Sequence, residues 1–167
     1  MIVSILILGL VTAQRLGELV VARRNTRRLL AAGGVERGGE HYPLMVGLHA
    51  AWLSGLWVLA WDRPANLAWV AVYVLLEGLR VWVLASIGAR WTTRIIVVPG
   101  ETSVRKGPYR FIPHPNYAVV VGEIAVLPLV FGLTTYALVF SLLNAAMLWV
   151  RIRAETQAWT EAAAPSR

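Results

Sequence analysis

Within residues 105–117, Arg105, Lys106, Tyr109, Arg110, His114, Asn116 and Tyr117 crowd around Gly107, Pro108, Pro113 and Pro115. A second polar group, Arg151, Arg153 and Glu155, follows the last apolar run; Arg151 and Glu155 are four residues apart and so share one face of a helix. Arginine supplies a permanent cation that orients an anionic oxygen through a charge-assisted hydrogen bond. Glutamate accepts from hydroxyl and amino groups, and aromatic rings offer flat faces that attract cations. With hydrocarbon alongside, such a set suits a ligand that is half polar and half lipid. Three prolines and a glycine exclude an uninterrupted helix, so the first group must sit on a shaped loop.

The rest of the chain is the frame that must position these groups. Of 167 residues, 57% are hydrophobic and only 15% charged, and the mean hydropathy of +0.61 lies outside the soluble range. Apolar runs at 2–21, 44–60, 67–87, 117–131 and 136–150 predict an all-α, polytopic membrane bundle of about five transmembrane helices. The first run lacks a basic start and a small-residue cleavage site, so it reads as a retained span. The last two runs are joined by a turn at Gly132, which predicts a helical hairpin. That hairpin carries the Arg151–Glu155 face back to the 105–117 loop.

The net charge of +7 would suit a nucleic-acid partner only if the cations formed one solvated face. Instead Arg23, Arg24, Arg27, Arg28 and Arg37 follow the first run, Arg90, Arg94, Arg105, Lys106 and Arg110 follow the third, and Arg151 and Arg153 follow the fifth. The opposite connections hold only Arg63. This is the positive-inside pattern, with the N-terminus outside and the C-terminus cytosolic; it implies contact with anionic membrane lipids and no nucleic-acid role. The chain has no cysteine, and His41 and His49 stand apart from any acidic partner at ligand spacing, so no metal site is expected.

Ionisable residues inside apolar runs are expensive unless paired. Arg15 and Glu18, and again Glu77 and Arg80, are three residues apart and are expected to pair within their own helices, the two pairs suggesting a polar seam between helices or locks that fix helix register. Glu123 is expected either to meet Arg80 or to line a pocket. Trp57 and Trp61 are expected to mark the outer interface. The whole of 1–167 reads as one domain, with three N-terminal spans in 1–87, a ligand-binding core in 88–160 and a fraying tail at 161–167.

Gly107-Pro108-Tyr109-Arg110, His114-Pro115-Asn116-Tyr117, Glu123 and Arg151-x-Arg153-x-Glu155 together resemble the C-terminal core of the isoprenylcysteine carboxyl methyltransferase family. With Ala22-Arg23-Arg24-Asn25, His41-Tyr42-Pro43 and Thr93-Arg94-Ile95-Ile96, the resemblance is closest to its short bacterial branch, some members of which O-methylate alkylpyrones beside polyketide synthases. The resemblance implies methyl transfer from S-adenosylmethionine to an oxygen of a lipophilic acceptor that enters from the bilayer. It implies cofactor contacts at Glu101, Thr102, Ser103, Val104, Tyr109, His114, Pro115, Asn116, Tyr117 and Glu155. It also makes Arg151 the residue facing the acceptor oxygen, with Arg153 and Glu123 on the substrate side. Pro113 and Thr156 stand where the family commonly has an arginine and a second acid. Phospholipid N-methylation and a small transport module lined by the intramembrane charges are the rival readings.

Overall fold

The computed structural model describes residues 1–100 and 104–163. Five helices make the bundle: α1 (Ile2–Ala31), α2 (Tyr42–Ala60), α3 (Leu67–Ile87), α4 (Pro115–Val130) and α5 (Thr134–Ala163). Four of them, all but α4, are long and apolar enough to cross a membrane. The 16 residues of α4 span about 24 Å at 1.5 Å per residue, less than a hydrocarbon core of about 30 Å. Its length is set by its ends. Pro115 opens it, needing no amide partner in the first turn. Pro128 sits near its close, and Gly132 turns the chain with a φ of +70° that favours glycine. The amides of Gly132 and Leu133 donate to Leu129 and Pro128, closing the α4–α5 hairpin.

In lipid, apolar surface gains little by leaving hydrocarbon, so packing and polar contacts hold helices together. Burial shows where that packing is. Only three of the 19 residues of α2 are buried, whereas eight of the 16 in α4 are, which makes α4 the central helix. Leu8 and Val11, Trp52 and Leu56, Tyr73, and Ile124, Leu127 and Val130 form the main core around it. This core fills one end of the bundle. Asn66 finishes that end: its side chain accepts from the amides of Ala68 and Trp69 to cap α3, and its own amide donates to Val130 O at 2.8 Å. Ser4 Oγ donates to the carbonyl of Arg63. Trp61 is exposed as a belt residue would be, but Trp57 turns inward and donates to Thr12 Oγ1 at 2.9 Å.

The intramembrane charges form one seam across three helices, α1, α3 and α4, instead of two local pairs. Arg80 grips Glu18 with two bonds, Nε to Oε1 at 2.5 Å and Nη2 to Oε2 at 2.6 Å. Its remaining nitrogen, Nη1, reaches Glu123 Oε2 at 2.8 Å, and Arg15 Nη2 meets the same oxygen at 2.8 Å. Arg15 does keep its neighbour Glu18, at 3.0 Å. Glu77, however, takes its hydrogen bond from Gln14 Nε2 at 2.5 Å, with Arg15 at 4.0 Å. The fork of an arginine satisfies two carboxylates at once only when they come from different directions, and α1 and α4 supply those directions.

At the other end the helical fold gains a two-stranded ribbon. Strand β1 (Val35–Arg37) pairs antiparallel with β2 (Ile95–Val97), Glu36 opposite Ile96. Ile95 and Val97 pack on Ala154, Ala158 and Trp159 of α5. Arg94 ties the ribbon together, bonding Glu36 at 2.6 Å and lying over the Tyr42 ring at 4.3 Å. Arg37 comes within 3.7 Å of Glu161, in a helix that runs to Ala163. Residues 164–167 lie outside the described residues.

Candidate active site

The loop and the last helix meet as the hairpin requires. Gly107–Arg110 forms a single 3-10 turn. At Gly107 φ is +57°, and a Cβ there would fall 2.0 Å from Ser86 Oγ, so only glycine lets the turn sit so close to the end of α3. The turn presents Tyr109, and the chain then runs through Pro113 to His114, the residue before α4.

Glu155 is the centre of the polar cluster. Tyr117 Oη donates to Glu155 Oε2 at 2.6 Å, and His114 Nδ1 lies 3.7 Å from the same oxygen. The rings of His114 and Tyr117 stack with centroids 5.3 Å apart and 18° between their planes. Arg151, one turn before Glu155 on α5, is buried, and its guanidinium lies 5.9 Å from the centre of the Tyr117 ring. Burial, with the Glu155 carboxylate nearby, pushes the Tyr109 hydroxyl up to about 12. Both effects disfavour the anion, so Tyr109 is a neutral phenol at any physiological pH.

Val104, Tyr109, His114, Asn116, Tyr117, Arg151 and Glu155 all line one cavity of about 1480 Å³, which also reaches Glu123. Glu123 therefore does both of the things expected of it, pairing with Arg80 and facing the cavity. Pro115 is buried as the first residue of α4 and does not line the cavity. Arg153 points elsewhere: it is exposed and stacks on Trp149 at 3.9 Å, outside the cavity lining. Its spacing of two residues from Arg151 puts it across the helix, which explains the separation. Thr156 returns its hydroxyl to the Ile152 carbonyl at 2.8 Å. Glu101, Thr102 and Ser103 lie outside the described residues. Among the described residues no group of three or more His, Cys, Asp or Glu could hold a metal ion.

Other residues lining the cavity were not marked by motif. His49 and Trp52 from α2 and Asn144 from α5 face it, as do Arg15, Glu18 and Arg80 of the seam. The only sequence signal for Asn144 was a lone amide in an apolar run.

Two comparisons bear on these residues. Residues 69–161 match the model for the isoprenylcysteine carboxyl methyltransferase family, a region that includes α4, all but the last two residues of α5 and the loop ahead of them. The chain is 39% identical over 161 residues to "Uncharacterized protein YpbQ" of Bacillus subtilis (strain 168), an alignment that covers 93% of this chain and 96% of that protein. No solved structure gives a significant match. The motif residues that fold into one cluster at a membrane cavity are thus those of the matched region, and the chain belongs to the isoprenylcysteine carboxyl methyltransferase family.

Proposed function

We propose that the protein transfers a methyl group from S-adenosylmethionine to an oxygen of a lipophilic acceptor that reaches the site from the bilayer. The observation that carries this reading is the convergence of Tyr109, His114, Tyr117, Arg151 and Glu155 on one end of a cavity that continues between the helices. At about 1480 Å³ the cavity exceeds the roughly 300–1,000 Å³ of a pocket for one small molecule, leaving room for two ligands.

The residues present fit the cofactor that the family uses. Glu155 accepts from Tyr117 through Oε2, and its other oxygen is available to a ribose hydroxyl or an amino group. Asn116 Oδ1 is buried without a hydrogen-bond partner among the described residues and needs a donor. The stacked His114 and Tyr117 rings and neutral Tyr109 offer flat faces to adenine or to a sulfonium cation. When bound, S-adenosylmethionine supplies an electrophilic methyl group. The protein's part is then to align an acceptor oxygen on the line of attack and keep water out. Arg151, cationic and buried, holds that oxygen as its anion. An acidic acceptor, a carboxylate such as that of an isoprenylcysteine or the enol of a long-chain alkylpyrone, needs no strong base.

The arginines after α1 and α3 and around the cavity mouth support a cytosolic location for this end. Phospholipid headgroup N-methylation has no comparable support here, because a cationic arginine repels an amine about to gain positive charge.

The test is calorimetry of the full chain in detergent with S-adenosylhomocysteine, followed by transfer of labelled methyl to a long-chain alkylpyrone and to a prenylated cysteine. Binding in the micromolar range and label in an ester or enol ether are expected. Absence of S-adenosylhomocysteine binding by folded protein would falsify the reading.

A further inference from the structure

Below Arg151 the cavity does not become plain hydrocarbon. Tyr117 and Glu123 are six residues apart on α4, and Asn144 and Arg151 seven apart on α5, a descent of about 9–11 Å at 1.5 Å per residue. Three side chains lining the cavity are almost wholly buried: Glu123 (2% exposed) and Asn144 (1%) at that depth, and Trp52 (2%) from α2. Among the described residues each carries a polar atom without a hydrogen-bond partner: Glu123 Oε1, Asn144 Oδ1 and Trp52 Nε1. His49, one turn from Trp52, is held by the Met45 carbonyl at 2.9 Å. A carbonyl only accepts, so Nδ1 carries the proton and Nε2 keeps a free lone pair.

Orphaned polar groups in a membrane interior are costly, and natural interiors rarely leave them unmet. Several around one cavity mean that something entering it meets them. Their chemistry says what kind of group. The seam holds Arg15 and Arg80 against Glu18, Glu77 and Glu123, two positive charges to three negative, or −1. Both guanidinium groups are already engaged with carboxylates, so no cation is free for an anion. A donor hydrogen suits Glu123 and Asn144, and a lone pair suits Trp52.

We propose that the middle of the cavity is a second polar subsite, built by Glu123, Asn144 and Trp52, that takes an uncharged hydroxyl of the acceptor deeper than its reacting oxygen. This deepens the methyltransferase reading and rests on it for the place of the reacting oxygen. The acceptor is then a lipid with two polar points, one acidic at Arg151 and one neutral further in, not a headgroup on a featureless tail. Asn144 and Trp52 are specificity residues and take no part in bond making.

The experiment uses a molecular ruler: stearate and a series of hydroxystearates with the hydroxyl stepped along the chain, bound to the full protein in detergent with S-adenosylhomocysteine present. At least one position is expected to bind about tenfold more tightly than stearate, the gain of one well-made buried hydrogen bond. Asn144→Leu is expected to remove that preference and leave stearate and S-adenosylhomocysteine affinities unchanged; Trp52→Phe provides a second variant that keeps the ring. Equal binding of every chain, as when a hydroxyl only displaces water, overturns the subsite. So does an Asn144→Leu variant that weakens all chains alike. Failure of S-adenosylhomocysteine to bind would sink the methyltransferase reading, while the ruler, read by binding alone, still judges the subsite.

Discussion

Arg151 and Glu155 sit one turn apart on the same helix face, yet their surroundings differ, and the proposed reaction gives them different work. Arg151 is buried beside the ring of Tyr117, whereas Glu155 is half-buried and already accepts a hydrogen bond from Tyr117. Arg151→Ala is therefore expected to lower turnover by about 10²-fold or more, the loss typical of one oriented charged donor, with S-adenosylhomocysteine affinity within about twofold by calorimetry. Glu155→Ala reverses the pattern: affinity falls about tenfold. Tyr117→Phe is expected to weaken the cofactor several-fold by freeing the carboxylate. Exchange of these effects between Arg151 and Glu155 would refute the division of labour. Tyr109 gives a pH prediction. Its hydroxyl ionises at about 12 in the folded protein against 10.0 ordinarily, so the stability from keeping it neutral is fully present below pH 10. That stability is lost as pH rises through 12. An ultraviolet difference titration of wild type against Tyr109→Phe should show its phenolate step above pH 11 and none near 10. At this scale the sequence brought the Tyr117 loop and Glu155 together, and the structure places them in contact. It did not show that Arg153 faces away from the cavity, because two residues along a helix is just over half a turn, and motif membership says nothing of direction.

Among the elements, the loop turn is the one whose position is most sharply set. Gly107 meets Ser86 so closely that Gly107→Val must push the turn off α3 and carry Tyr109 away from Glu155. S-adenosylhomocysteine affinity should drop at least tenfold with the helices intact by circular dichroism; unchanged affinity would mean that Tyr109 is not needed there. The ribbon teaches a different lesson. Its second strand carries a local signal, the β-branched run Ile95, Ile96 and Val97, which the all-α expectation passed over. Its first strand was not, since Val35-Glu36-Arg37 has one apolar residue and is a strand only because β2 and α5 stand beside it. Tertiary context decided it. The helical hairpin, by contrast, was legible from local signals alone: a glycine with a left-handed backbone between two apolar runs.

At the scale of the whole molecule, a packed end and a hollow end are joined through the charged seam. Sequence showed that Arg15, Glu18, Glu77 and Arg80 must be neutralised, and the i, i+3 spacing suggested how. Helix packing overrode the local choice for Arg80, because an interhelical carboxylate pair uses its fork more fully than a neighbour on its own helix. Removing one partner of such a buried network leaves uncompensated charge in hydrocarbon, a loss of about 3–5 kcal/mol. Arg80→Leu should accordingly lower the thermal midpoint in detergent far more than a leucine at exposed Arg153 would, and the double variant Arg80→Leu with Glu123→Gln should recover part of the loss. Equal midpoints for the two single variants would show that the seam does not hold the bundle together.

The short α4 sits beside helices long enough to cross a bilayer and carries His114 at its start, next to exposed Phe111 and Ile112. A bilayer meeting this side must thin, or the loop must sink below the plane of the phosphates. Either way the distance between the aqueous compartment and the acyl chains is shortest at the mouth of the cavity. A greasy molecule at that point could present its head to the cavity without being hoisted into water.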